Sequence, residues 1–197
     1  MATTATLTVI TGPMFSGKTD ALIRLFREVG GAPVAFKPER DDRHPADVIV
    51  SHSGLHVPAI AVAAVGTIER ETRSQSTAFI DEIQFFPDEL ADVVRRLRAS
   101  GTDVIAAGLD YDFRLDPFRT TSRLIAAATR LERLVARCSR CGEPATLTQR
   151  LINGEPAPLT GPQIVVGDRD LYEPRCPRCW HEERAIAAHG GAVRGPS

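Results

Sequence analysis

The segment of residues 12–19, near the start of the chain, most constrains its fold. It matches the pattern G-x-x-x-x-G-K-[S/T] at every fixed position. Residues 5–10 alternate threonine with apolar side chains and predict a strand before the segment. After it, Leu22, Leu25, Phe26 and Val29 follow the spacing of one buried helix face. The chain must therefore pass from a strand through a glycine-containing turn into a helix.

This segment predicts a phosphate-binding loop. Its glycines let successive backbone N–H groups face phosphate oxygens, and the helix that follows adds its positive N-terminal end. Lys18 is expected to contact the β- and γ-phosphates of ATP, and the Thr19 hydroxyl to complete the shell of Mg²⁺. The other residues expected around the phosphates are Gly12, Pro13, Met14, Phe15, Ser16 and Gly17. The alternative, a chance match, arises in roughly one chain of this length in a hundred.

Two carboxylates, Asp81 and Glu82, directly follow a short apolar strand predicted at residues 77–80. In enzymes with such a loop, a carboxylate at the end of a neighbouring strand holds Mg²⁺. A second carboxylate beside it can accept a proton from an attacking hydroxyl. Neighbouring side chains on a strand point to opposite sides, so the two need not share a role. A solvated acidic turn is the alternative, which the upstream loop disfavours.

All four cysteines lie in two C-x-x-C pairs, Cys138 with Cys141 and Cys176 with Cys179. Four thiolates complete a tetrahedral shell for Zn²⁺, and a closed shell indicates a structural ion rather than a catalytic one. A redox dithiol or simple burial is the alternative. The 34 residues between the pairs contain an Asn-Gly step and several prolines, so they predict an extended loop held at its base.

Strands and helices alternate in the first two thirds of the chain, which predicts an α/β fold with a parallel sheet covered by helices. Further strands are predicted at residues 33–36, 48–50, 57–62 and 103–109, and a helix at 88–100. The predicted domains are residues 1–135, which would bind ATP, and 136–189, which would bind zinc. Residues 190–197 are expected to form a disordered tail.

Composition limits the possible partners and the compartment. The net charge is −1 and no basic block occurs, which disfavours nucleic acid as a partner. No apolar run is long enough to span a membrane, and residues 1–10 lack the features of a signal peptide. We therefore expect a cytoplasmic protein, in which cysteines stay reduced.

Together with three further segments, these motifs resemble the zinc-containing thymidine kinases of bacteria and animal cytosol. The segments are residues 51–54 (Ser-His-Ser-Gly), residues 81–86, which include the acidic pair, and residues 108–118. The resemblance extends from the first strand to Trp180. It implies a RecA-like P-loop NTPase core with a small zinc-binding lasso domain. It also implies transfer of the ATP γ-phosphoryl group to the 5′-hydroxyl of thymidine, and of deoxyuridine, in nucleotide salvage.

The resemblance also implies roles for individual residues. Glu82 aligns with the general base, Asp81 with the acid beside Mg²⁺, and Gln84 and Arg43 with residues near the nucleotide. The residues matching the wall of the thymine pocket are Met14, Phe85, Leu109, Phe113 and Phe118, although core packing is the alternative for each. The lasso contacts would come from Thr148, Gln163, Ile164, Val165, Val166, Gly167 and Tyr172. Asp168 replaces a glycine found in some relatives, which affects the expected local shape of the lasso.

A homotetramer and feedback inhibition by thymidine triphosphate follow from the same resemblance. Two other classes of function stay open. One is a nucleic-acid-binding module, with the cysteines as a zinc ribbon beside an ATPase core. The other is a nucleotide-gated switch in which Glu82 positions water instead of a sugar hydroxyl.

Overall fold

The structure, a computed structural model, describes residues 5–41, 44–72, 76–163 and 171–190, with side chains up to residue 185. The strands before residue 134 are β1 (Leu7–Thr11), β2 (Val34–Pro38), β3 (Val48–Val50), β4 (His56–Pro58), β5 (Ile60–Val62), β6 (Thr77–Ile80), β7 (Asp103–Gly108) and β8 (Arg130–Arg133). Six of them form one sheet in the order β5-β2-β6-β7-β1-β8, and every pairing in it is parallel. The predicted parallel sheet is confirmed.

Helices cover both faces of this sheet. They are α1 (Lys18–Glu28), α2 (Gly66–Glu71), α3 (Leu90–Ala99) and α4 (Arg119–Ala127). On one face, Leu22 and Ile23 of α1 pack with Phe79 and with the antiparallel hairpin of β3 and β4. On the other face, α2, α3 and α4 cover the sheet. The two apolar layers explain why the strands are apolar on both sides.

The third helix follows its sequence pattern closely. Leu90, Val93, Val94 and Leu97 recur at the spacing of one helix face, and all four are buried against the sheet. The helix ends before Gly101, whose φ of 89° suits glycine best. The predicted helix is confirmed, with bounds shorter by two residues at its start and one at its end.

Residues 57–62 do not form the single strand that the sequence predicts. They divide at Ala59 between β4, which belongs to the hairpin, and β5, which lies at the edge of the main sheet. Pro58 has no N–H to extend a ladder, and the Ala59 N–H donates instead to the Asp47 carbonyl oxygen (2.9 Å). The chain can therefore leave one sheet and enter the other within two residues.

The stretch between the cysteine pairs is more ordered than the predicted loop. Its elements and their neighbours are β9 (Ala136–Arg137), β10 (Pro144–Ala145), β11 (Leu147–Ile152), β12 (Glu155–Pro156), β13 (Tyr172–Arg175) and α5 (Pro177–Gly190). Strands β12, β11 and β13 form an antiparallel sheet. Asn153 and Gly154 both have positive φ, as a tight two-residue hairpin requires. The prediction of an extended loop was therefore wrong for residues 147–156.

Strands after residue 135 pair outside the parallel sheet, but the division into two domains there stays a prediction. Gly190 is the last residue of α5, and residues 191–197 of the expected tail lie outside the described part of the chain. No described helix has the length and hydropathy of a membrane-spanning segment.

Gly108 ends β7 at a point of close packing. A Cβ atom there would lie 2.5 Å from Gln84 Oε1 and 2.6 Å from Ile83 Cγ1. We expect Gly108→Ala to lower the free energy of unfolding by about 1–3 kcal/mol, because the added methyl group overpacks this site. Gly66→Ala is the control, since nothing lies within 4 Å of its Cβ position. Denaturant unfolding measures both, and equal stability of the two variants would contradict the packing argument.

Candidate active site

The glycine-rich loop (residues 12–19) leads from β1 directly into α1. Three of its residues have positive φ: Gly12 (145°), Phe15 (62°) and Gly17 (85°). A side chain at Gly12 would collide with the carbonyl oxygen of Leu134, so only glycine fits there. The Lys18 ammonium donates to the Pro13 carbonyl oxygen (2.7 Å) and thus lies over the loop. The loop has the curled backbone that phosphate binding needs.

Asp81 lies beside the first turn of α1. It follows β6 directly, and its N–H donates to the Phe36 carbonyl oxygen on β2 (2.9 Å). The Thr19 hydroxyl donates to Asp81 Oδ2 at 3.0 Å. Asp81 is only 5% exposed. A hydroxyl and a carboxylate in contact at this position are two oxygen ligands of the kind that Mg²⁺ prefers.

Glu82 leaves the line of the strand. Its φ of 53° and ψ of 42° are left-handed, so it does not alternate with Asp81 across a strand as the sequence predicts. The Gln84 side-chain amide donates to Glu82 Oε2, and Gln84 Oε1 accepts from the Leu109 N–H at 3.0 Å. Gln84 thereby fixes the Glu82 carboxylate to the end of β7.

One cavity of about 540 Å³ brings the predicted site residues together. From the loop and the acidic segment, its wall includes Met14, Phe15, Gly17, Lys18, Thr19, Asp81, Glu82 and Gln84. From the predicted thymine pocket and lasso, it includes Phe85, Leu109, Phe113, Phe118, Thr148, Gln163 and Tyr172. Gly12, Pro13 and Ser16 belong to the same loop but do not line the cavity. Arg43, Ile164, Val165, Val166 and Gly167 lie outside the described residues.

Asp112 organises the turn that carries the aromatic side chains. Its Oδ1 accepts from the N–H groups of Arg114 (2.8 Å) and Asp116 (3.0 Å), and its Oδ2 accepts from the Arg114 guanidinium. Phe113 and Phe118, on either side of this turn, are 1% and 5% exposed. Two buried rings held by a hydrogen-bonded turn form a rigid apolar surface, which suits a flat ligand.

The antiparallel sheet joins the glycine-rich loop through Thr148. This threonine lies on β11, and its hydroxyl oxygen accepts from the Met14 N–H at 3.1 Å. Tyr172 pairs with Arg150 on the neighbouring strand and also lines the cavity. The antiparallel sheet thus contributes Thr148 and Tyr172 to the wall of the cavity, although both lie far from the acidic segment in the sequence.

Two arginine side chains bind both the chain after β12 and the aromatic turn, which comprises residues 112–118. The Arg184 guanidinium donates to the carbonyl oxygens of Ala157 (3.1 Å) and Phe113 (3.3 Å). Arg150 donates to the Pro162 carbonyl oxygen and lies 5.1 Å from the centre of the Phe113 ring. These contacts hold residues 157–162 against the segment that carries Phe113.

The four cysteines form one cluster, with all Sγ atoms within 4.8 Å of one another. The Sγ atoms of Cys141 and Cys176 lie 3.6 Å apart. Two thiolates on a tetrahedral Zn²⁺ lie about 3.8 Å apart. The cluster therefore has the dimensions of a four-thiolate metal site.

The thiols of this cluster differ in acidity. Burial opposes ionisation of Cys138, but N–H groups of Cys176, Cys141 and Arg140 lower its pKa to about 6. Burial raises the pKa of Cys179 to about 12, and hydrogen bonds from neighbouring thiols add to the rise. A bound metal would require all four cysteines as thiolates, so metal binding would release the protons that remain on the cluster.

Comparison with known proteins identifies the family. The family model described as thymidine kinase matches residues 5–180. The chain belongs to the thymidine kinase family. A thymidine kinase of Pyrobaculum aerophilum is 46% identical over 179 residues, which are 87% of this chain and 96% of that relative. The resemblance inferred from the motifs is confirmed.

Two solved structures of Pif1 helicases, one from Bacteroides bound to single-stranded DNA, share 17% and 15% identity with this thymidine kinase family member. They cover 62% and 70% of the chain, with TM-scores of 0.33 and 0.36. The chain spans 33% and 41% of the helicase chains. A likeness this weak carries no argument about function.

Several residues around the cavity of this thymidine kinase family member were not among the site residues predicted from the sequence. Lys37, His44, His52, Tyr111 and Asp112 contribute to its wall. Lys37 could have been predicted as a site residue, because it is the polar residue directly after the apolar run 33–36 and ligands bind at the carboxyl ends of parallel strands.

A polar contact also positions the turn at residues 51–54, to which the sequence gave no role. The Ser51 hydroxyl donates to Asp20 Oδ1 (2.8 Å), next to Thr19 at the start of α1, and the Ser53 hydroxyl donates to the same oxygen. The tip of the β3–β4 hairpin is thereby held against the glycine-rich loop.

We expect Gln84→Met to destabilise this thymidine kinase family member by about 1–3 kcal/mol. Methionine preserves the approximate volume but leaves the partly buried Leu109 N–H without its acceptor. Gln163→Met, at a half-buried position on the same cavity, is the control and should change stability by less than about 0.5 kcal/mol. The free energy of unfolding in denaturant measures both variants. A loss no larger than in the control would show that Gln84 does not support this edge of the sheet.

Proposed function

We propose that this chain transfers the γ-phosphoryl group of ATP to the 5′-hydroxyl of thymidine, giving thymidine monophosphate for nucleotide salvage. One observation carries the proposal beyond family membership. A single cavity contains Lys18, Thr19 and Asp81 in its wall together with Glu82 and the aromatic turn. Groups suited to a triphosphate, a proton and a flat base therefore face the same space.

The triphosphate half of the proposal rests on the glycine-rich loop. The N–H groups of the loop and the Lys18 ammonium would bind the β- and γ-phosphates. Thr19 and Asp81, already in contact at 3.0 Å, would hold Mg²⁺, which neutralises charge on the phosphate oxygens. On these grounds we assign the parallel sheet to the RecA-like P-loop NTPase fold. Gln84 would act here by positioning Glu82, and Arg43 would stabilise charge near the phosphates.

Glu82 is the proposed general base. As the 5′-oxygen forms a bond to the γ-phosphorus, the bond from that phosphorus to the β,γ-bridging oxygen breaks and ADP leaves. The proton of the 5′-hydroxyl passes to the Glu82 carboxylate. The Gln84 side-chain amide donates to one oxygen of the Glu82 carboxylate and thereby orients this carboxylate in the wall of the cavity.

The nucleoside half of the proposal rests on the aromatic turn and the antiparallel sheet. Phe113 and Phe118, with Met14, Phe85 and Leu109, would enclose the base and its methyl group. Thr148, Tyr172 and residues 163–167 would contact the base or sugar from the lasso. Deoxyuridine differs from thymidine only by the methyl group, so it should also be accepted, with a loss of at most about 1–3 kcal/mol.

The resemblance to the family supports two further proposals, a homotetramer and feedback inhibition by thymidine triphosphate. The second has a physical basis in the cavity. Thymidine triphosphate carries both a thymine base and a triphosphate, and the cavity has groups for each. It should therefore compete with both substrates.

An assay with Mg-ATP and a panel of nucleosides tests the activity. We expect 5′-monophosphates from thymidine and deoxyuridine and none from purine nucleosides. Glu82→Gln should lower kcat by at least about 100-fold while ATP and thymidine still bind, because only the proton acceptor is lost. Glu89→Gln, at an exposed position next to α3, should leave kcat unchanged. No phosphorylation of thymidine, combined with ATP hydrolysis that DNA stimulates, would refute the proposal.

We assign the cysteine cluster to structural Zn²⁺, held by Cys138, Cys141, Cys176 and Cys179. Elemental analysis should find about one zinc per chain, since four thiolates fill one tetrahedral shell. Cys141→Ser should release the metal and weaken thymidine binding more than ATP binding, because β11 and β13 lie between the cysteine pairs. Ser139→Ala, between two cysteines, is the control and should keep the metal. Iron or an absence of metal in freshly purified protein would count against the assignment.

A further inference from the structure

Lysine is rare in this chain. Of its 24 lysine and arginine residues, only Lys18 and Lys37 are lysines. Both contribute to the wall of the same cavity. Lys18 belongs to the glycine-rich loop, whereas the mechanism above gives Lys37 no role. The second lysine of an otherwise arginine-only chain thus lies where the substrates are proposed to bind.

The Lys37 side chain is buried and contacts neutral backbone groups. Lys37 is only 2% exposed. The ammonium donates to the carbonyl oxygens of His44 (3.2 Å) and Pro45 (2.6 Å), which are both neutral. It forms no ion pair with any carboxylate in the part of the chain that the structure describes. Burial of an ammonium is costly, and the two carbonyl oxygens accept only two of its three hydrogens.

The position of Lys37 places it near the expected γ-phosphate. Phe36 pairs with Ile80 across β2 and β6, so the next residues, Lys37 and Asp81, follow on the same face of the sheet. Asp81 in turn accepts from Thr19, at the end of the glycine-rich loop. The Lys37 side chain therefore leaves the sheet on the face that α1 covers, and it lines the same cavity as Thr19 and Asp81.

We propose that Lys37 binds the γ-phosphoryl group of ATP and remains bound to it during transfer. This inference rests on the proposed function. The phosphoryl group exchanges its bond to the β,γ-bridging oxygen for a bond to the 5′-oxygen, and its three remaining oxygens stay negative throughout. Lys37 donates a hydrogen bond to one of them and keeps its proton.

Two substitutions separate this role from simple support of the neighbouring loop. Lys37→Met removes the charge and every donor, whereas Lys37→Gln removes the charge but keeps an amide donor for the carbonyl oxygens of residues 44 and 45. We expect kcat to fall by about 10- to 100-fold in both variants. Arg24→Gln, at an exposed position on α1, is the charge-matched control and should leave kcat unchanged.

Binding measurements identify the phosphate that Lys37 contacts. With Mg²⁺ present, both variants should bind the non-hydrolysable analogue AMP-PNP at least about tenfold more weakly than the native protein, since one charged hydrogen bond is lost. Affinity for ADP should change by less than about twofold, because ADP has no γ-phosphate. Equal weakening of both nucleotides, or native kcat in Lys37→Gln, would overturn the inference.

The native protein gives a second measurement if either variant fails to fold. Reductive methylation with formaldehyde modifies lysine amines, and mass spectrometry reports on the peptides that contain Lys18 and Lys37. AMP-PNP with Mg²⁺ should protect Lys37 more than ADP does. Equal modification in the two complexes would contradict contact with the γ-phosphate. This comparison needs no thymidine, so it stays decisive even if the panel assay refutes the proposed acceptor.

Discussion

The parallel direction of the strands is the constraint on which the site depends. Because β1, β2, β6 and β7 all run the same way, their carboxyl ends meet at one edge of the sheet. The glycine-rich loop and Asp81 follow two of these strands, Gly108 ends a third, and Lys37 is the penultimate residue of β2. A sheet with even one of these strands reversed would carry its polar residue to the far edge. The sheet topology is therefore what brings the chemical groups of the cavity to one place.

A second, smaller sheet completes the cavity, and few contacts join it to the first. The hydrogen bond between Met14 and Thr148 fixes β11 to the glycine-rich loop, and Arg184 fixes residues 157–162 to the aromatic turn. Each is a single residue whose partner is a backbone group. The cysteine cluster lies where the chain enters β11 and leaves β13, two strands that pair with each other. The nucleoside half of the cavity therefore depends on a few well-defined hydrogen bonds rather than on a large apolar core.

The sequence predicted the elements whose periodicity is strong. The segment 12–19, the helix α3 and the strands β6 and β7 were found because local patterns determine them. It did not predict α2, α4 or β8: β8, with Leu131 exposed at the edge of the sheet, has neither an alternating nor a helical pattern. The hairpin and edge strand at residues 56–62 were merged, since only tertiary pairing separates them. Most described residues of the predicted nucleotide and nucleoside site line one cavity. Lys37 and Asp20 were missed because their importance depends on neighbours distant in sequence.

Glu82 shows where side-chain chemistry and backbone preference oppose each other. Its left-handed conformation costs an ordinary residue about 1 kcal/mol, which glycine would avoid. Glycine there would favour the fold, but it would remove the acceptor of the Gln84 amide and leave the cavity without this carboxylate. With Glu82 at this position, the fold is therefore less stable than it would be with glycine. The position of greatest proposed chemical importance is one at which an improvement in stability would remove the function.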